Sequence, residues 1–150
     1  MFTAIWCFAQ GSIMLVGGGA ESDASYAWSN TPYQWAVDQS TNKKVAVISY
    51  DHSGSDQWLP DYFESLGATE ATNIEIASRS DAELMATYDL LMEYDVLFFK
   101  GGDQSIYYKY YQNTKVTDAI TDKFDEGEVI TGTSAGLAIL SEVIYSAENG

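Results

Sequence analysis

The chain is poor in the residues on which much protein chemistry and most covalent stapling depend. Its 150 residues include one cysteine, Cys7, and one histidine, His52. A single cysteine excludes an internal disulfide framework and a cysteine-based zinc site, and a single histidine excludes a His-rich metal centre. No metal is expected. Basic residues are scarce too, with seven Lys and Arg against 22 Asp and Glu, a formal net charge of −15. A chain so short of cations does not neutralise phosphates, which argues against nucleic acid and against an anionic membrane surface as partners. The excess of carboxylates reads as a solubilising surface. No apolar run approaches the roughly 20 residues of a membrane span. Neither an EF-hand calcium loop nor an internal repeat is present.

What remains is enough for one domain with its own core. The opening ten residues, MFTAIWCFAQ, read as the end of a secretory leader, with Ala9-Gln10 near a cleavage point. On this reading residues 1–11 are a leader remnant, Cys7 is removed and the protein is exported; without it, a cytoplasmic location follows. The domain proper then covers residues 12–150.

Along that domain, apolar runs alternate with helix-like segments. Ser12–Val16 reads as a buried strand, followed by Gly17-Gly18-Gly19. The segment 28–40 reads as a helix, with Ser29 or Thr31 as N-cap and Pro32 in its first turn. Lys44–Tyr50 is a second strand, and 57–67 a helix closed by Gly67. Asn73–Ile76 is a short, more polar strand expected near a sheet edge. Ser80 and Glu83 form a capping box opening a helix that runs to Met92. Asp95–Lys100 is a nearly all-apolar strand leading into Gly101-Gly102. A Tyr-rich helical stretch (106-IYYKYY-111) and a helix over 114–127 follow, then a fifth strand and 132-GTSAG-136 at the head of a last helix. Alternating strands and helices give an α/β fold: a doubly wound, mostly parallel sheet with helices on both faces. Strands that are apolar almost throughout agree, because they are buried on both sides.

Three of the five strands end in glycines, and in a parallel sheet all carboxyl ends meet at one edge, where such sheets bind ligands. Strand, tight turn, Ser134, then helix is the setting in which G-x-S-x-G marks a nucleophile elbow. The N–H of Ala135, and one from the Gly101-Gly102 turn, would supply an oxyanion hole. A phosphate-binding turn is the competing reading. No lysine sits at P-loop spacing, however, and 17-GGGAES-22 is not G-x-G-x-x-G, so no nucleotide cofactor is expected. The tyrosines at 107, 108, 110 and 111 and the tryptophans at 28, 35 and 58 read as packing residues. Asp122, Asp125, Glu126 and Glu128 read as a solvated face.

The pair 98-FFKGGDQ-104 and 132-GTSAG-136, with 14-MLVGGGAE-21 at the front, resembles the cyanophycinase and dipeptidase E group of serine peptidases, family S51, from about Ser12 to the end of the chain. The resemblance implies a flavodoxin-like fold related to class I glutamine amidotransferases, with serine in place of the nucleophilic cysteine. It implies hydrolysis of peptide or isopeptide bonds involving aspartate, with Ser134 as nucleophile. Gly101, Gly102 and Ala135 would form the oxyanion hole, and Asp103 and Gln104 would face the substrate. Gly-Gly-Asp-Gln leans toward the cyanophycinase branch. Homodimers are common in the family, and an Asp-containing peptide is the implied partner.

One departure matters. The family's general-base histidine lies a few dozen residues beyond the nucleophile, and no histidine follows Ser134 here. His52 does not match it and reads as a polar loop residue. The expectation is an N-terminal part of a longer hydrolase, the fold incomplete at the C-terminus and inactive alone. The alternative is a non-catalytic binding module on the same fold.

Overall fold

The structure, a computed structural model, describes residues 10–19, 27–52 and 57–143. The expected leader at 1–11 therefore lies almost wholly outside the described residues, as do residues 144–150.

Five strands form one parallel sheet: β1 (Ser12–Val16), β2 (Lys44–Ser49), β3 (Glu70–Glu75), β4 (Val96–Phe99) and β5 (Val129–Thr133), in the order β1-β5-β4-β2-β3. Taken from β3 inward, the last four strands follow the 2-1-3-4 pattern of flavodoxin-like sheets, and β1 fills the place of the fifth. The helices are α1 (Ala27–Gln39), α2 (Trp58–Ser65), α3 (Arg79–Ala82), α4 (Met85–Leu91), α5 (Gln104–Tyr111), α6 (Lys115–Asp125) and α7 (Ala135–Ala138).

Helices cover both faces of the inner strands. Alternate residues of each inner strand point to opposite sides, so Val45 and Val47 pack with Tyr33, Val37, Leu59 and Phe63 of α1 and α2. Ala46 and Ile48 pack instead with Leu91, Tyr107, Tyr111 and Val116 of α4, α5 and α6. That two-sided burial is why Lys44–Ser49 and Val96–Phe99 are nearly continuous apolar runs.

Two tyrosines of α5 tie this helix to the strand ends. Tyr107, fully buried, donates to the carbonyl of Lys100 at 3.0 Å. One turn on, Tyr111 donates to that of Ile76 at 3.1 Å. Tyr107 also stacks edge-on with Tyr111. At the opposite, amino edge, buried Asp95 accepts from the backbone N–H groups of Asn42 and Lys44, both at 3.0 Å, joining the starts of β2 and β4.

Several local expectations are corrected. Among the described residues β1 is an edge strand, paired with β5 alone. Ile13 and Leu15 are about half exposed, at 51% and 49%, because the face they point to is only partly covered. β3 lies at the opposite edge, as expected, but runs over Glu70–Glu75 rather than Asn73–Ile76. Helix α1 starts at or before Ala27, so Ser29 is not its cap; buried inside the helix, Ser29 bonds the Tyr62 hydroxyl at 2.9 Å. The helix expected from Ser80 to Met92 is two short ones, broken where Leu84 takes extended backbone. Its cap is Ser78, which accepts from the N–H of Asp81, rather than a Ser80–Glu83 box. The final helix, α7, is one short turn.

Candidate active site

β1 leads to α1 on one face of the sheet, and β5 leads to α7 on the other. Connections that diverge from neighbouring strands leave a crevice at the carboxyl edge. Ser134 sits at that crevice, exposed, between the end of β5 and the start of α7.

Its backbone has φ 52° and ψ −114°. An L-residue pays for such a conformation with roughly 1–3 kcal/mol of local strain, and such residues cluster at functional sites. The neighbours explain how the turn is held. The Ser134 N–H donates to the carbonyl of Val16 at 3.1 Å, and its own carbonyl accepts from Ala138 at 3.0 Å.

The flanking glycines are required by space. A Cβ on Gly136 would lie 2.1 Å from the carbonyl oxygen of Phe99, and one on Gly132 2.5 Å from the carbonyl group of Gly136. Strand β5, α7 and the end of β4 therefore meet backbone to backbone, which only glycine permits.

Two further glycine turns bracket the serine side chain. A Cβ on Gly18 would stand 3.1 Å from both Cβ and Oγ of Ser134, and one on Gly101 3.5 Å from its Cβ. The structure thus gathers the glycine turns after β1 and β4 around Ser134, from positions far apart in sequence. Beside them opens a cavity of about 670 Å³ lined by Met14–Val16, the Gly17–Gly19 turn, Trp28 and Pro32. The Trp28 ring stands over Gly19.

Asp103 and Gln104 follow the Gly101-Gly102 turn. Asp103 is exposed and is the N-cap of α5: its Oδ1 accepts from the N–H of Ser105 at 2.8 Å and from the Ser105 hydroxyl at 2.6 Å. Those bonds, the hydroxyl's first, hold its carboxyl below the usual Asp range. Gln104 is half-buried at the first position of α5. The sequence signal for the cap, an Asp immediately before a helical run, was present in 103-DQSIYY-108. Tyr50 is a neighbour that the sequence did not single out. It lies just past β2, and its hydroxyl accepts from the N–H of Asp103 at 2.7 Å.

His52 is not brought to Ser134. Its Nε2 lies 3.1 Å from the carbonyl of Ile74 on β3. β3 stands three strand spacings from β5, about 14 Å. Among the described residues, none hydrogen-bonds the Ser134 hydroxyl, no group of three or more His, Cys, Asp or Glu could hold a metal ion, and no helix is long and apolar enough to cross a membrane.

Comparison with known proteins follows the same residues. The sequence model of Peptidase family S51 matches residues 13–149. No curated protein gives a significant match. Among solved structures, the chain is similar to a peptidase from an acI-B1 Actinobacterium, with 21% identity and a TM-score of 0.70 over 91% of this chain and 59% of that one. It is also similar to a putative peptidase E protein from Listeria monocytogenes EGD-e, with 18% identity and a TM-score of 0.60 over 85% and 60%. At these identities the likeness is one of fold. The chain spans about three-fifths of the length of each.

Proposed function

The chain belongs to peptidase family S51, and on that premise we propose that the protein is a serine-type peptidase whose nucleophile is Ser134, acting on peptide or isopeptide bonds that involve aspartate. The observation that carries this reading is the Ser134 turn: a strained, exposed serine at a strand-to-helix junction, held open by two glycines that nothing larger can replace. A merely structural turn has no need of a strained serine where glycine would relieve the backbone.

In the proposed reaction the Ser134 Oγ attacks the scissile carbonyl carbon, and its proton passes to a base. The family resemblance assigns that base to a histidine beyond the nucleophile, and no histidine follows Ser134 in the sequence. As the carbonyl oxygen gains negative charge, the N–H of Ala135 and one from Gly101 or Gly102 donate to it. Collapse of the tetrahedral adduct expels the amine with the proton held by the base and leaves an acyl-serine ester, which water hydrolyses. Asp103 would face the substrate through the carboxylate oxygen not engaged by Ser105, with Gln104 beside it.

A fluorophosphonate probe on the full-length protein tests the nucleophile. Labelling that disappears in Ser134→Ala is expected. No labelling, or labelling that survives the substitution, refutes it. The second reading, a binding module on the same fold, is favoured by one observation: among the described residues nothing hydrogen-bonds the Ser134 hydroxyl, and His52 is engaged at β3. That reading predicts no labelling by a protein that is folded and monodisperse.

A further inference from the structure

The Gly101-Gly102 turn is asked to present an N–H to the oxyanion, yet a glycine pair is the most pliable stretch a backbone offers. Gly102 has φ 149°, a conformation that by itself does nothing to fix the peptide planes on either side. An oxyanion hole stabilises charge only when its donors are already in place, so that no reorganisation is needed as the charge appears. Something outside the turn must hold it.

Two tyrosine hydroxyls do so, one on each flank. Before the glycines, Tyr107 donates to the carbonyl of Lys100 at 3.0 Å. After them, the Tyr50 hydroxyl accepts from the N–H of Asp103 at 2.7 Å. The Tyr50 ring also lies against the turn: a Cβ on Gly102 would sit 2.7 Å from its hydroxyl oxygen and 3.1 Å from a ring carbon. The two rings meet edge to face, with centroids 4.8 Å apart, so each braces the other. Tyr107 is fully buried, whereas Tyr50 is half-buried at the crevice edge.

We infer that Tyr50 is a positioning residue for the oxyanion hole. It fixes the Gly101–Asp103 backbone by accepting the Asp103 N–H and by filling the space above Gly102. It does not itself touch the reacting atoms. The inference rests on the proposal that Ser134 is the nucleophile, and goes beyond it by naming what keeps the donor opposite Ser134 in place. Replacement of Tyr50 by phenylalanine keeps the ring and its packing, removes the acceptor, and returns the Asp103 N–H to solvent.

The test is the kinetics of fluorophosphonate labelling in the full-length protein, resolved into reversible binding and the covalent step. Phosphonylation of a serine places developing negative charge on the phosphoryl oxygen, where the oxyanion hole acts. Tyr50→Phe is expected to slow the covalent step about 10-fold, less than the 10²–10³ lost with a direct donor. The binding constant of the probe and the unfolding midpoint should be little changed. Hydrogen exchange supplies an independent readout, in which the Asp103 amide exchanges faster in Tyr50→Phe than in the wild type. An unchanged covalent rate in a labelled wild-type background overturns the role of Tyr50 and leaves Ser134 standing. Failure of the wild type to label overturns the nucleophile, and this inference with it. Equal exchange at Asp103 in the two proteins also refutes it, whatever the labelling shows.

Discussion

Three alanine substitutions at glycines around Ser134 should give three different outcomes, because the space at each differs. Gly17 has nothing within 4 Å of where a Cβ would stand. Gly17→Ala should leave activity intact and change stability by less than about 1 kcal/mol, with any gain coming from a less flexible unfolded chain. At Gly18 the added carbon would lie 3.1 Å from Cβ and Oγ of Ser134, inside the usual contact distance of about 3.5–4.0 Å. The Ser134 backbone is anchored to Val16, so relief must come from turning the hydroxyl or shifting the Gly17–Gly19 turn. An off-rotamer side chain costs of order 0.5–1.5 kcal/mol, a modest loss of stability. Displacing a reacting atom by about 1 Å, however, can lower the rate about 10²-fold. Gly18→Ala should therefore fold nearly as well as the wild type and label with fluorophosphonate far more slowly. At Gly136 the added carbon would be 2.1 Å from a backbone oxygen of Phe99, which no side-chain rotation relieves. Overpacking of this kind costs about 1–3 kcal/mol and occasionally more. Chemical denaturation midpoints and labelling rates, measured together on the three variants, provide the check. Wild-type labelling by Gly18→Ala, or wild-type stability in Gly136→Ala, would show that the packing around Ser134 has been misread.

Two further predictions follow from the backbone at Ser134 and the cap at Asp103. Ser134→Gly removes the side chain from a position at φ 52°; it should abolish labelling and raise stability by about 1 kcal/mol relative to Ser134→Ala, which retains the strain, and equal unfolding midpoints for the pair would refute the strain. The Asp103 carboxyl is held below the ordinary Asp value by Ser105, so its cap contributes fully above about pH 4 and is lost as pH falls through the lowered folded value. The Ser105 amide resonance should shift across that acid window in the wild type and stay flat in Asp103→Asn, which keeps an oxygen acceptor without the charge. A pH-independent Ser105 amide in the wild type would refute the cap.

Much of this was legible in the sequence where the cause is local or repeated. Val45–Ile48 and Val96–Phe99 show strands because two-sided burial leaves no polar alternation to obscure them. Gly132 and Gly136 show the tight strand-to-helix turn because their spacing is dictated by backbone contact. What was missed depends on distant partners. Ile13 and Leu15 look like core residues, but their exposure is set by how little covers that face of β1. The break at Leu84 interrupts a segment that holds neither Gly nor Pro to announce it. Tyr50 carries no signature at all, since its bond to Asp103 joins residues 53 positions apart. Asp103 belongs to the Gly-Gly-Asp-Gln motif and also caps α5, so one residue carries two sequence signals.

The strand order also has a consequence for how the chain reaches this state. β2, β3 and β4 lie within residues 44–99, and β2 pairs with both of the others, so most of the sheet can assemble from contacts made early in synthesis. β1 is made first, yet its partner is β5, with Ser12 opposite Val129, more than a hundred residues later. Closing so long a loop is slow relative to local pairing. The Gly17–Gly19 turn therefore meets Ser134 only once the β1–β5 ladder closes. Time-resolved hydrogen exchange would find β1 amides protected last, and a ribosome stalled before β5 emerges would hold a chain with much of its sheet and no Ser134 turn.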